Sequence, residues 1–584
     1  MDRLQVELDV PAAVRDGTVL RANIYRPAGE GRWPVLLTRL PYGKDLPLGT
    51  AILDPVQAAR RGYVVIVQDT RGRFRSDGDW EPFTREAEDG FDTVDWAAGL
   101  ANSDGQVGMY GVSYFGFTQW SAATLQPPAL KAMIPFETWS DPLNGLVFRG
   151  GALELGTLAS WHLQQGFDVL VRRHRQDPAA LSGAITNLAG ELDALGSEGY
   201  WSLPLSSFAP HQRQSVAPSF FDVISRPMDP SLAESFTIAG KHARVQAPTF
   251  NLGGWYDIFL PDTIAAFQAM RAAGRPTKML IGPWSHRTQR NPVGEVNFGF
   301  GAQTGLIDLR QDLGNLQLRW FDHWLKGIDT GIMAEPPIKL FVMGRNVWRD
   351  EPAWPLARAV DTPFYMRGGG GLTREAPGDD ETPDAYTYDP RDPVPTRGGA
   401  LLMTPEFPDG PVDQRSIESR PDVLVYRTDP LARDTEVTGP IRVRLFAASS
   451  APDTDFVARL VDVDAQGRSL NLTDGILRAR YRDAQRGGPV RLIQPGEPVV
   501  YDIDLWSTSN VFLAGHRIGV QVTSSSFPRW DRNPNTGHPF GADAELRAAH
   551  QTILHDAAHP SCVILPLVPN GAAGGVPARP TTHG

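Results

Sequence analysis

Short unbroken apolar runs, spaced through the first half of the chain, constrain its fold most. Val35-Leu-Leu-Thr38, Val64-Val-Ile-Val-Gln68, Val107 to Tyr110 and Ala132-Met-Ile-Pro-Phe136 show no polar alternation. Such runs suit strands buried on both faces of a parallel sheet. Between the second and third lies a helix pattern over residues 86–101, with Phe91, Val94, Ala97 and Ala98 on one face and an acidic start. Strand, helix, strand, helix predicts a doubly wound α/β sheet. Ahead of it, residues 1–40 read as a β-meander: Val6 to Val10 and Val19 to Tyr25 alternate on either side of a hairpin turn at Asp16-Gly17.

The rhythm stops near Ser140. Residues 144–240 read as helices and loops, with helices expected over Leu153 to Val171 and Pro178 to Leu195. Strands return at Pro248-Thr-Phe-Asn-Leu252 and Lys278-Met-Leu-Ile-Gly282, separated by a helix from Asp262 to Ala273. A helical insertion between two strands of one α/β domain explains this order. Leu309, Leu313, Leu316, Trp320 and Trp324 then repeat at helical spacing as core contacts. From about Pro355 short alternating runs take over, for example Ile441-Arg-Val-Arg-Leu-Phe446 and Arg517-Ile-Gly-Val-Gln-Val-Thr523. Alternation between turn-rich spacers predicts an antiparallel sandwich. The segment after Pro569 is rich in Gly, Ala and Pro and is expected to be loose.

Composition excludes several classes. At 584 residues the chain needs more than one core. A net charge of -11 without a basic cluster argues against nucleic acid as a partner. No apolar run approaches a membrane span. The first residues lack the basic-then-apolar layout of a secretion signal, so a cytoplasmic location is expected. Cys562 is the sole cysteine, which removes internal disulfides, cysteine metal clusters and dithiol redox chemistry.

One motif carries chemistry. Gly111-Val112-Ser113-Tyr114-Phe115-Gly116 follows a predicted strand and precedes a predicted helix. It is a close variant of the nucleophile elbow, which lifts a serine hydroxyl out of a sheet. A serine at neutral pH needs a base, itself oriented by a carboxylate. The chain order Ser, acid, His is met by Asp257, in a loop expected after the strand ending at Leu252, and His286, in a loop expected after Gly282. Catalytic groups gather at the carboxyl ends of strands in open α/β sheets. Asp262 is a rival acid. His162, His242 and His323 are rival bases, though His162 falls in the insertion, His242 breaks the chain order and His323 lies on a helix.

These motifs, with Gln68-Asp-Thr-Arg-Gly-Arg-Phe-Arg-Ser-Asp-Gly78, Leu340-Phe-Val-Met-Gly344, Asp453-Thr-Asp-Phe456 and Ser507-Thr-Ser-Asn-Val-Phe512, resemble the cocaine-esterase-like acyl esterases. That group stands with the X-Pro dipeptidyl-peptidases and α-amino-acid ester hydrolases. The resemblance implies an α/β-hydrolase domain over residues 1–143 and 241–353, and a helical cap over 144–240. It further implies a jelly-roll domain over 354–570 and a flexible tail over 571–584. It implies an oxyanion hole from the backbone N–H of Tyr114 and the hydroxyl of Tyr42. It implies an acyl pocket lined by Trp161 on the cap, Phe259 beside the acid and Met403, which stands where the family esterase typically carries an aromatic. Asp69 and Arg71 are expected to form a structural ion pair or loop brace. No metal or cofactor is implied.

The expected activity is a serine carboxylesterase on small-molecule esters, with a homodimer open as its assembly. An amino-acid ester hydrolase or X-Pro dipeptidyl-peptidase is the near alternative, and Glu154 would be a conceivable ammonium anchor unless it lies on a solvated helix face. A carbohydrate-binding protein with a degenerate hydrolase half is the alternative from another class.

Overall fold

The computed structural model describes residues 3–484 and 487–569, so the tail expected over 571–584 lies outside the described residues. The N-terminal half is built on one ten-stranded sheet. Its strands are β1 Leu4–Ala13, β2 Val19–Pro27, β3 Trp33–Leu40, β4 Val64–Asp69, β5 Ser103–Val112, β6 Leu130–Phe136, β7 Thr249–Tyr256, β8 Thr277–Ser285, β9 Ile338–Val342 and β10 Val347–Glu351. Their spatial order is β1-β2-β4-β3-β5-β6-β7-β8-β9-β10. From β4 through β9 neighbouring strands run parallel. β1 and β2 form the expected hairpin, closed by the Val14 amide donating to the Thr18 carbonyl at 2.9 Å.

The meander expectation is corrected. β3 does not pair with β2; β4 lies between them, because β3, buried from Pro34 to Leu40, belongs inside the parallel sheet. The central strands β4, β6, β7 and β8 are buried almost throughout, as their unbroken apolar runs require.

Helices cover both faces. α1 Glu86–Ala98 and α2 Tyr114–Thr124 pack against each other. In the insertion, α3 Leu155–Arg173 packs on α4 Pro178–Ala194, and a short ribbon pairs Phe148–Arg149 with Ala152–Leu153. α5 Leu260–Ala272 connects β7 to β8. α6 Leu313–Lys326 starts where the Asp312 carboxylate accepts the Asn315 amide at 2.8 Å and stops at Gly327, whose φ is +66°. Leu309 is not on this helix as its spacing suggested; it has φ +57° and is exposed. Asp312 places the helix start after it.

Beyond Val360 every long element is a strand. Eleven strands form a single hydrogen-bonded sheet. Within it, Thr435–Ser449 pairs along one edge with Val499–Phe512 and along the other with Cys562–Val568 and Ala549–Leu554. Outward-facing Arg442 and Arg444 alternate with buried Ile441, Val443 and Leu445. This is the one-face-in pattern read from the sequence. No helix among the described residues is long and apolar enough to cross a membrane.

Candidate active site

The elbow forms at the carboxyl end of β5. Ser113 stands at φ +59° and ψ −125°, a region a non-glycine residue enters only when its surroundings enforce it. The enforcement is local. The Ser113 amide donates to the carbonyls of Phe136 at 2.9 Å and Glu137 at 3.1 Å, just past neighbouring β6. Buried Gln119 reaches back to donate to the Gly111 and Ile134 carbonyls, both at 3.1 Å. Gly111 has φ +146°, and a Cβ there would sit 2.4 Å from the Phe115 ring. A Cβ on Gly116 would sit 2.7 Å from Thr138.

Ser113 is the N-cap residue of α2 yet makes no side-chain cap. A serine there ordinarily accepts an amide of the first turn. Here its hydroxyl turns to the imidazole of His286, with Oγ 3.0 Å from Nε2. The Tyr114 amide, which opens α2, keeps no intrahelical acceptor.

β7 and β8 run further than expected. Gly253 to Tyr256 and Gly282 to Ser285 are strand, so the loops are shorter than expected and Asp257 and His286 are their first residues, directly after the strand ends. Asp257 Oδ1 lies 2.6 Å from His286 Nδ1, and its Oδ2 accepts the Phe259 amide at 2.9 Å. The Asp257 side chain is fully buried and that of His286 nearly so. The carboxylate therefore fixes the ring with Nδ1–H toward itself and the Nε2 lone pair toward the serine.

Tyr42 and Trp161 meet above the serine. The Trp161 indole N–H, on cap helix α3, donates to the Tyr42 hydroxyl at 3.1 Å, and Ser113 also interacts with that hydroxyl. Burial pushes the Tyr42 phenol up to about 12, so it stays a neutral O–H donor. A cavity of about 120 Å³ opens from Ser113, walled by Tyr42, Tyr114, Phe83, Trp139, Trp161 and Phe259. Phe83 stacks on Trp161 with centroids 5.6 Å apart, and Phe259 meets the His286 ring edge-on at 5.3 Å.

Of the expected pocket residues, Trp161 and Phe259 line the cavity and Met403 does not. Its side chain is buried against Gly156 of α3, and Leu402 reaches the cavity instead. Phe83, Trp139 and Glu137 were missed. Phe83 lies in an irregular loop, held by its amide donating to the Tyr114 hydroxyl at 2.9 Å, and no local pattern marks it. Glu137, the residue after β6, has no exposed surface.

The rivals fall away. Asp262 accepts from Ser140 Oγ and the Asp141 amide, both at 3.0 Å, and braces the loop into the cap. His162 lines the cavity, but its ring binds the Leu158 carbonyl and Ser219. His242 packs on Trp120, and His323 lies on α6 against Trp324. Asp69 and Arg71 do not pair with each other. Asp69 accepts the Lys44 amide at 2.6 Å, while Arg71 bridges Asp89 and Asp16. Glu154 is not on a solvated face: it is buried, accepts the Trp530 indole N–H at 3.0 Å and lies within 3.7 Å of Arg149 and Arg529. As for metals, Glu137, Asp257 and His286 offer ligand atoms within 4.8 Å of one another, but the short Asp257–His286 bond occupies the edge a cation would need.

An α/β sheet with a serine elbow backed by imidazole and carboxylate defines the serine hydrolase class of architecture. Residues 16–288 match the X-Pro dipeptidyl-peptidase (S15 family), and residues 330–564 match the X-Pro dipeptidyl-peptidase C-terminal non-catalytic domain. Cocaine esterase from Rhodococcus sp. is 36% identical over 576 residues, 96% of this chain and 98% of that protein. Among solved structures, an α-amino acid ester hydrolase is 25% identical, with a TM-score of 0.78 and 97% of each chain covered. An aminopeptidase from a marine sediment archaeon (Thaumarchaeota) shares the fold at 24% identity, with the same TM-score and coverage. The chain belongs to the S15 family of hydrolases, alongside cocaine esterase.

Proposed function

We propose that this protein is a serine carboxylesterase that cleaves small-molecule esters through an acyl-enzyme. The observation that carries the reading is the hydrogen-bonded run Ser113–His286–Asp257, at 3.0 and 2.6 Å, opening onto a largely apolar cavity. As Ser113 Oγ attacks the ester carbonyl carbon, His286 Nε2 takes its proton. Asp257 offsets the imidazolium charge that results. The developing oxyanion accepts from the Tyr114 amide and the Tyr42 hydroxyl, two donors already fixed in a partly dry site. Collapse breaks the carbon–alcohol bond, and His286 protonates the leaving alcohol. A water then attacks the acyl-enzyme with His286 again as base, returning the acid and free Ser113.

The aromatic walls favour an ester whose acyl group is apolar. Two relatives named for ester hydrolysis support an ester over an amide bond. An α-amino substrate would need a carboxylate facing its ammonium; Glu154 is already engaged with Trp530, Arg149 and Arg529, whereas Glu81 and Asp222 line the cavity and keep that reading as the one to test against. The test is a substrate panel: an aryl ester with an apolar acyl group, an α-amino ester and an X-Pro amide. The simple ester is expected to turn over fastest. Turnover confined to the X-Pro amide would overturn the reading.

A further inference from the structure

Glu137 follows β6, the strand between those that carry Ser113 and Asp257. It is a buried carboxyl group with no exposed surface and φ +42°, so the fold holds it there against backbone preference. Its amide donates to the Leu252 carbonyl at 2.8 Å, and its own carbonyl accepts the Ser113 amide. Its Oε2 accepts from Gln289 Nε2 at 2.9 Å. The same Gln289 amide group donates to the backbone carbonyls of Ser285 and His286. Its Oε1 is buried and has no partner among the described residues. A carboxyl oxygen of Glu137 lies within 4.8 Å of both an Asp257 oxygen and a His286 ring nitrogen.

We propose that Glu137 is a second acid behind the triad, a positioning residue that acts through His286 and stands ready to take over the charge of Asp257. The charged neighbours are Asp257 after β7, Asp409 from the C-terminal domain and the His286 ring after β8. Burial first, and then the charge of Asp257, hold the Glu137 carboxyl well above the usual carboxylate range. Two carboxyls so close do not both ionise readily. Glu137 is therefore the member of this pair that is held toward its protonated form, while the Asp257 Oδ2 accepts the Phe259 amide. Remove the Asp257 carboxylate, and the main repulsion on Glu137 goes with it. Glu137 then ionises at lower pH, next to the vacated space beside Nδ1. The unpartnered Oε1 is the atom free to accept that N–H.

This rests on the triad reading, and the experiment separates the two. kcat/KM for an aryl ester is measured across pH for the wild type, Asp257→Ala, Asp257→Ala with Glu137→Gln, and Asp257→Ala with Glu137→Asp. Asp257→Ala is expected to keep at least about ten-fold more activity than the double variant with Gln. That residual activity falls as pH drops and Glu137 takes up its proton, and Glu137→Asp restores part of it. Equal activity of Asp257→Ala and its Gln double variant at every pH overturns the role of Glu137 and leaves the triad standing. An inactive wild type sinks both. Should the double variants fail to fold, Glu137→Gln in the intact triad replaces them. It is expected to alter the kcat/KM profile at the pH where wild-type Glu137 loses its proton, and a profile superimposable on the wild type overturns the proposal.

Discussion

At the scale of single residues the site divides its labour by atom. Ser113 spends its hydroxyl on His286 and none on capping α2, which leaves the first helical amides facing the same point. Ser113→Ala is therefore expected to fold normally and lose at least about 10⁴-fold in kcat. Ester turnover and labelling by a fluorophosphonate check this together, since the label also vanishes. On the proposed mechanism, Tyr42→Phe removes one oxyanion donor together with the Trp161 hydrogen bond, while keeping the ring against Tyr114 and Phe115. The expected loss is about 10²–10³ in kcat with KM little changed, read from steady-state kinetics. Leu402→Ala enlarges the cavity where Met403 does not reach, so activity should shift toward bulkier acyl groups across an ester series. Met403→Phe instead forces a ring against Gly156. It is expected to destabilise by about 1–3 kcal/mol without changing acyl preference, and urea denaturation beside the same ester series separates these effects.

At the scale of elements, the strand-to-helix turn and the cap docking decide whether those atoms meet. Gly111→Ala would place a methyl 2.4 Å from the Phe115 ring at a backbone angle that L-residues avoid. A fall in Tm of several degrees is expected, with activity lost in proportion, measured by thermal denaturation and turnover. α3 is pinned to the segment after β4. Arg73 donates to the Gln165 carbonyl and side chain, Asp168 accepts the Phe74 amide, and Arg172 donates to the carbonyls of Phe74, Ser76 and Gly78. Much of this level was legible beforehand. The central strands announced themselves because burial on both faces leaves no polar positions, and the elbow because only a glycine fits at 111. The meeting of Ser113, His286 and Asp257 was legible because chain order and strand ends locate it without coordinates. The lining was not. Phe83 and Trp139 are ordinary aromatics until tertiary packing brings them to Ser113. Met403 and Leu402 differ only in which way one loop turns. Asp69 and Arg71 looked like partners because they are close in sequence, yet Arg71 pairs with Asp89 and Asp16, while Asp69 accepts the Lys44 and Arg75 amides as a loop brace.

At the scale of the whole molecule, the C-terminal domain braces the catalytic centre from behind. Asp409 accepts from Ser285 Oγ at 2.6 Å, one residue before His286. Trp530 and Arg529 hold Glu154 at the foot of α3, and the Arg149 guanidinium lies 4.1 Å over the Trp506 ring. The joint between hydrolase sheet and cap also makes overall stability depend on pH. Burial raises the Asp262 carboxyl to about 6, opposed by Arg149 and by its hydrogen bonds at Asp141 and Ser140. Its unfolded value is about 4, so the folded state binds the proton more tightly. Its contribution is fully present below about 4 and is lost as pH rises through about 6. The stability difference between wild type and Asp262→Asn should therefore fall by about 2–3 kcal/mol across that interval, measured by chemical denaturation at each pH. The Trp161–Tyr42 hydrogen bond reaches further than its 3.1 Å. It ties Tyr42, the proposed oxyanion donor, to the inserted helices, so warming that shakes this roof loose would silence turnover while the great sheet beneath still stands. Such a catalyst would age in storage by dimming first and melting later.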